Sequence, residues 1–176
     1  MSVDHTETGP APLHAVPGHR LALRWAGPEG VSDTMLTYQE LLDQGRRAAA
    51  ALRDHGVGPD DRVATLLPLI PESVVVTLAC GAVDALRVSV PWFLSRHQLA
   101  ARIRESGARV LIVADSAYRE GSPYPVKRML DRALADCPEV ESVWVIRNLC
   151  HPVGWTPGRD RWWSEVLQSR TPHGED

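Results

Sequence analysis

The chain has 176 residues, 44% apolar and 23% charged, with a formal net charge of −3. This suits one ordinary soluble domain with a proper core and is too little chain for two. Charge of mixed sign with no basic stripe gives no case for a nucleic-acid partner, and three scattered cysteines without C-x-x-C spacing exclude a disulfide framework and fit a reducing compartment.

Residues 1–19 hold three prolines, two glycines and three histidines without periodicity, and are expected to form a loosely ordered arm. Those histidines (His5, His14, His19) lack the spacing of a zinc site and have no cysteine nearby, so they read as solvent-exposed rather than metal-ligating. The opening MSVDHTETGPAP has no basic start followed by an apolar run, so no leader is expected. A single α/β domain is expected over residues 20–170, followed by a polar tail at 171–176.

From Arg20 to Trp25 the residues alternate, placing Leu21, Leu23 and Trp25 on one side of a half-buried strand. A turn at Gly27–Gly30 leads to Thr34–Leu36, which can pair back as a hairpin. Thr37 and Glu40 then make a capping box, with Leu36 and Leu41 as its staple. Tyr38, Leu41, Leu42, Gly45, Ala48, Ala49 and Leu52 recur at helical spacing, and the small residues among them suit close packing against a sheet. Gly56 ends this helix.

The most apolar stretch runs from Arg62 to Val90. Arg62–Leu67 reads as a strand apolar on both faces, as in a parallel sheet covered by helices. Pro68 and Pro71 bracket a tight connection, and Pro71 fits the first turn of a helix over 72–84 with Glu72 near its positive end. Glu72, Asp84 and Arg87 leave only 73–83 uncharged, too short for a membrane span. The expected location is the cytoplasm. Arg87–Val90 is the next strand.

After Trp92-Phe93-Leu94 a second capping box, Ser95 with Gln98, opens a helix that Gly107 closes, with Leu99 and Ile103 inward. Arg109–Ala114 reads as a strand, Tyr118–Tyr124 as a turn-rich loop, and Val126–Cys137 as a helix with Met129, Leu130, Ala133 and Leu134 inward. Val140–Ile146 gives the last strand. A Pro- and Gly-rich loop (150–158) leads to a final helix, Asp160–Gln168, capped by Asp160. Strands and helices alternating in this way predict an α/β class with a mostly parallel, doubly wound sheet flanked by helices.

No phosphate loop, dinucleotide fingerprint or nucleophile elbow is present. Arg119, Lys127, Arg128 and Arg132 form a modest basic patch, which reads either as a solvated helix face or as a phosphate site. The isolated cysteines read as structural thiols.

The blocks LTYQELL, DHGVGPDDRVATLLPLIPESVVVTLAC, LAARIRESGARVLIVAD, PVKRMLDRALADCPEVESVWVIRN and GRDRWWSEVL, in that order, resemble AMP-forming acetyl-CoA synthetases of the adenylate-forming superfamily. The resemblance runs from about His19 to Leu167. It implies part of the large N-terminal domain of a two-domain enzyme that makes an acyl-adenylate from ATP, with Mg, and passes the acyl group to coenzyme A. The family's Ser/Thr/Gly-rich phosphate loop and its mobile domain's catalytic lysine are not in this sequence, so no catalytic residue is assigned here and activity of the chain alone is not expected. Two arginines spaced three apart hold the coenzyme A nucleotide in the family. Arg119 matches the first and Ser122 stands at the second, while Trp92-Phe93 replaces a Gly-Gly pair on the ligand's path. By this resemblance Arg119 is the one candidate coenzyme A-binding residue. The expected partners are a full-length relative or a complementary synthetase fragment, or else the chain is a non-catalytic binding or regulatory module.

Overall fold

A strand with buried residues on both faces must be covered on both sides, and the structure builds outward from two of them. In the computed structural model, which describes residues 17–27 and 33–168, β3 (Arg62–Leu66) and β5 (Val110–Ala114) are neighbours at the centre of a five-stranded sheet. The other members are β4 (Leu86–Ser89), β8 (Ser142–Ile146) and β9 (Asp160–Trp162), in the order β4-β3-β5-β8-β9. All four pairings are parallel. The chain therefore steps from β3 to one side, then crosses back and continues on the other. This is a doubly wound topology with its switch point between β3 and β5.

Successive strand residues serve opposite faces. Val63, Val110, Ile112, Trp144 and Ile146 pack on one side beneath α1 (Tyr38–Asp54), α2 (Pro71–Ala82) and α5 (Trp163–Gln168). Ala64, Leu66, Leu111, Val113, Val143 and Val145 pack on the other beneath α3 (Arg96–Ser106) and α4 (Val126–Leu134). The Val-rich segment is a helix despite its strand propensity, because Pro71 occupies its first turn and its buried face closes over the sheet.

Both capping boxes form. Thr37 N–H donates to Glu40 Oε2 at 2.8 Å and Glu40 N–H to Thr37 Oγ1 at 3.2 Å; Ser95 N–H donates to Gln98 Oε1 at 3.2 Å. Gly107 closes α3 in the left-handed conformation (φ 64°). The small residues of α1 face a helix rather than only the sheet: a Cβ on Gly45 would lie 3.3 Å from Leu78 Cβ of α2. Arg53 fastens the same pair of helices by donating to the Ala82 carbonyl at 2.6 Å.

Four expectations are corrected. The first hairpin, β1 (Leu21–Trp25) with β2 (Thr34–Thr37), has an irregularity between Leu21 and Leu23 that breaks the alternation. Leu21 is consequently exposed, while Ala22 and Trp25 pack on the core. Tyr118–Tyr124 is not an open loop but belongs to a hairpin, β6 (Ala117–Arg119) with β7 (Ser122–Tyr124). Asp160 does not cap the last helix; it is a buried residue of β9. The helix at 126–137 stops at Leu134. The expected arm lies outside the described residues except for 17–19, as do most of the turn at 27–30 and the polar tail at 171–176.

Candidate functional site

Connections leaving the carboxyl ends of β4 and β5 meet at one end of the sheet, where ligands of open α/β sheets bind. Glu120 and Gly121 form the two-residue turn of the β6–β7 hairpin, both with positive φ (51° and 77°). That geometry matches the twist of paired strands. Arg119 and Ser122 are directly paired across the hairpin, so side chains at these two positions stand side by side on one face. A spacing of three residues is therefore how this hairpin would place two neighbouring groups on one ligand.

Arg119 is already engaged. Its guanidinium carbon lies 5.5 Å from the Phe93 ring centre and 5.8 Å from that of Tyr124. Nη1 donates to the Phe93 carbonyl at 3.4 Å, and Nε is 3.6 Å from Glu120 Oε1. Trp92 completes the collar, edge-on to Phe93 at 5.4 Å and tilted against Tyr124 at 5.6 Å. The structure thus brings together the four residues singled out from sequence, Trp92, Phe93, Arg119 and Ser122, around one half-exposed cation. Such an arrangement can take a single anionic group, in competition with Glu120.

Lys127 of the basic patch does not join it. Lys127, the only lysine in the chain, is fully buried. Its ammonium donates to Asp131 Oδ1 and Oδ2 (2.7 and 2.9 Å), Asp160 Oδ2 (2.8 Å) and the Gly154 carbonyl (3.2 Å). Arg159 closes the cluster with 2.7 Å bonds to Asp160 Oδ1 and Asp131 Oδ1. Burial alone would raise the Asp160 pKa, but hydrogen bonds from Arg159, Lys127 and the Thr156 N–H outweigh it and hold the carboxyl below its ordinary value. This lysine holds α4 against β9 and the 154–160 loop; it is not a phosphate ligand.

Sequence reasoning missed Asp115, at the carboxyl end of β5. Its carboxylate accepts four backbone N–H bonds, from Ser116 (2.6 Å), Asn148 (3.0 Å), Leu149 (3.1 Å) and His151 (3.0 Å), fixing the loop after β8. An Asp directly after an apolar strand was the signal available. Burial pushes the Cys80 thiol up to about 11 and that of Cys137 upward too, which suits structural thiols. Among the described residues no group of His, Cys, Asp and Glu could hold a metal. No described helix is long and apolar enough to cross a membrane.

Residues 14–176 match the family described as AMP-binding enzyme. The chain is 41% identical over 158 residues to the acetyl-coenzyme A synthetase of Mycolicibacterium smegmatis, covering 89% of this chain and 17% of that protein. It is 42% identical over 160 residues to the acetyl-coenzyme A synthetase of Streptomyces avermitilis, covering 90% and 24%. The solved acetoacetyl-CoA synthetase of Streptomyces lividans superposes with a TM-score of 0.69 at 26% identity, covering 80% of this chain and 21% of that one. The chain thus spans a quarter or less of the length of these relatives.

Proposed function

The chain belongs to the AMP-binding enzyme family, and from that premise we propose that it supplies the coenzyme A-facing part of the N-terminal domain of a short-chain acyl-CoA synthetase, acetate being the first substrate to test. In this reading the complete activity joins acetate to coenzyme A through an acetyl-adenylate formed from ATP. The observation that most supports it is likeness to acetyl-coenzyme A synthetases along nearly the whole chain, on a fold shared with the acetoacetyl enzyme.

These residues do not perform the reaction unaided. Adenylation places heavy negative charge on the triphosphate, which must be met by preorganised cations and backbone donors. The one lysine here is saturated by carboxylates within the core, so a phosphate-binding lysine has to come from elsewhere, in the same polypeptide or in a partner. The contribution left to this part is Arg119, which would meet a phosphate of coenzyme A where the hairpin opens.

The test is ATP–pyrophosphate exchange with acetate, using the purified 176-residue chain alone and then mixed with the complementary part of a relative. No exchange alone and exchange on mixing is the expected pattern; robust exchange by the chain alone overturns it. For the coenzyme A contact, Ser122→Arg combined with Phe93→Gly should tighten binding about tenfold or more in calorimetry, because a second charge-assisted donor stands beside Arg119. Arg119→Ala should abolish binding in either background.

A further inference from the structure

The five-stranded sheet ends at β4, which carries none of the usual protections of an edge. The Leu86 N–H donates to the Asp61 carbonyl at 2.8 Å and the Val90 N–H to that of Thr65 at 2.9 Å, both toward β3. Backbone groups alternate sides along a strand, so Val88 also faces β3, and the N–H and C=O of Arg87 and Ser89 point away from the sheet. Among the described residues no strand lies beyond them. Natural edges are guarded by a proline, a bulge, an outward charge or a covering element. Here Pro91 lies past the strand, and the register with β3 is unbroken. The one charge in β4, Arg87, is turned onto α2, donating to Thr77 Oγ1 at 2.6 Å and to the Ser73 carbonyl at 3.1 Å. We propose that this chain self-associates as a twofold dimer, β4 pairing antiparallel with β4 of a second copy about an axis at Val88. The inference does not rest on the synthetase reading.

Two features choose a second copy as the occupant. The first is charge complementarity along the edge. With the axis at Val88, Arg87 stands opposite the partner's Ser89, and Ser89 opposite the partner's Arg87. Each offers a positive N–H and a negative C=O outward, so each pair can exchange both of its N–H···O bonds. Val88 then faces the partner's Val88 as the close, non-hydrogen-bonded pair between them. A slip of one residue would set outward groups against inward ones. An axis at Arg87 or Ser89 would leave the other outward residue beyond the partner strand.

The second is the apolar face. Leu86, Val88 and Val90 alternate onto the side of the sheet that α3 serves, where Val88 and Val90 pack. This flank is left open by α3: a cleft of about 510 Å³ lies beside the edge. Its walls include Val88, Val90, Pro91 and Leu94, together with Arg62 and the ion pair of Arg102 with Glu105 at 3.2 Å. Leu86 is 52% exposed. The same register sets the partner's Leu86 beside Val90 at this cleft, and Leu86 beside the partner's Val90. Each copy thus covers the other's exposed leucine, as an isologous interface requires.

Sedimentation equilibrium on the 176-residue chain tests the proposal. A monomer–dimer equilibrium with a dissociation constant of about 100 µM or tighter is expected, in keeping with a small interface. Leu86→Lys, at a position exposed in the single chain, should weaken it at least about tenfold; far-UV circular dichroism checks that the fold survives. Cross-linking under mild oxidation reads the register, in a Cys150→Ser background because the other two thiols are buried. Val88→Cys should give a disulfide-linked dimer, since a close antiparallel pair has Cα atoms about 4.5 Å apart, within disulfide reach. Leu86→Cys should not, because its two copies would lie about 13 Å apart along the strands. A dissociation constant weaker than about 100 µM, mass that keeps growing beyond the dimer, or undiminished association of Leu86→Lys overturns the assignment. So does failure of Val88→Cys to cross-link more readily than Leu86→Cys.

Discussion

Lys127 carries a full charge without solvent contact, which is tolerable only because four oxygens surround its ammonium. Removing one partner from such a cluster leaves the others desolvated and uncompensated. Lys127→Met, which keeps the stem and deletes the charge, should therefore cost about 3–5 kcal/mol in urea unfolding; a cost below about 1 kcal/mol would mean the cluster is a surface pair in effect. Asp160 makes the same cluster sensitive to acid. Its native pKa lies below the unfolded value of about 3.9. The stability it contributes is thus complete above that pH and is lost as pH falls through the native value. Asp160→Asn should be less stable than the parent at pH 7 and should lose less further stability between about pH 4 and pH 2. Urea midpoints measured across that interval check both signs, and an unchanged acid limb would remove Asp160 as its source. The thiols divide by burial: Cys80 and Cys137 are buried, whereas Cys150 is exposed. Mass spectrometry after brief alkylation of the native chain should find the label on Cys150 alone.

Local elements were legible wherever one residue type had one mechanical meaning. Thr37, Glu40, Ser95 and Gln98 could be read as capping boxes because a hydroxyl followed three residues later by a carboxylate or amide satisfies helix-end N–H groups in one way. The β6–β7 hairpin escaped notice because Pro123 occupies a strand position and Glu-Gly is a weak turn signal. Asp160 misled for the opposite reason: an Asp before an apolar run reads as a cap, and only the folded chain shows it facing Lys127. Lys127 stands three and seven residues before Leu130 and Leu134, beside the buried stripe of α4, but its charge reads as solvated, and no local pattern announces an ion cluster assembled from residues 127, 131, 159 and 160. The hairpin turn also holds a measurable strain. Glu120 adopts φ 51°, a conformation that costs most side chains roughly 1 kcal/mol and that Asn accepts readily. Glu120→Asn should raise stability by several tenths of a kcal/mol up to about 1 kcal/mol and free Arg119 of its carboxylate neighbour. Gly121→Ala, at φ 77°, should lower stability by a similar amount. If both substitutions move the urea midpoint the same way, the turn is not what limits the hairpin.

For the molecule as a whole, the alternation of strands and helices was enough to read a doubly wound parallel sheet, because strands apolar on both faces demand two covering layers. Strand order was not readable in the same way: side-chain periodicity says which face a residue serves and nothing about its lateral neighbour. Only the pairing of β3 with both β4 and β5 reveals the switch point, and with it the reason that the Trp92-Phe93 segment and the Arg119 hairpin converge. The same sheet couples the two cores. Every central strand contributes to both, Val63 and Trp144 to one and Ala64 and Val143 to the other, so neither layer can melt without stripping the backbone that supports its counterpart. The six tryptophans allow this to be followed separately on each side. Trp144 and Trp163 are buried in one core, whereas Trp92 and Trp162 pack against the other. In a fluorotryptophan-labelled chain, fluorine resonances from both pairs should disappear at one urea midpoint, with a slope of about 1–3 kcal/mol per molar urea. Separate midpoints would mean that the helix layers α1–α2–α5 and α3–α4 fold as independent units and that the sheet does not transmit cooperativity between them.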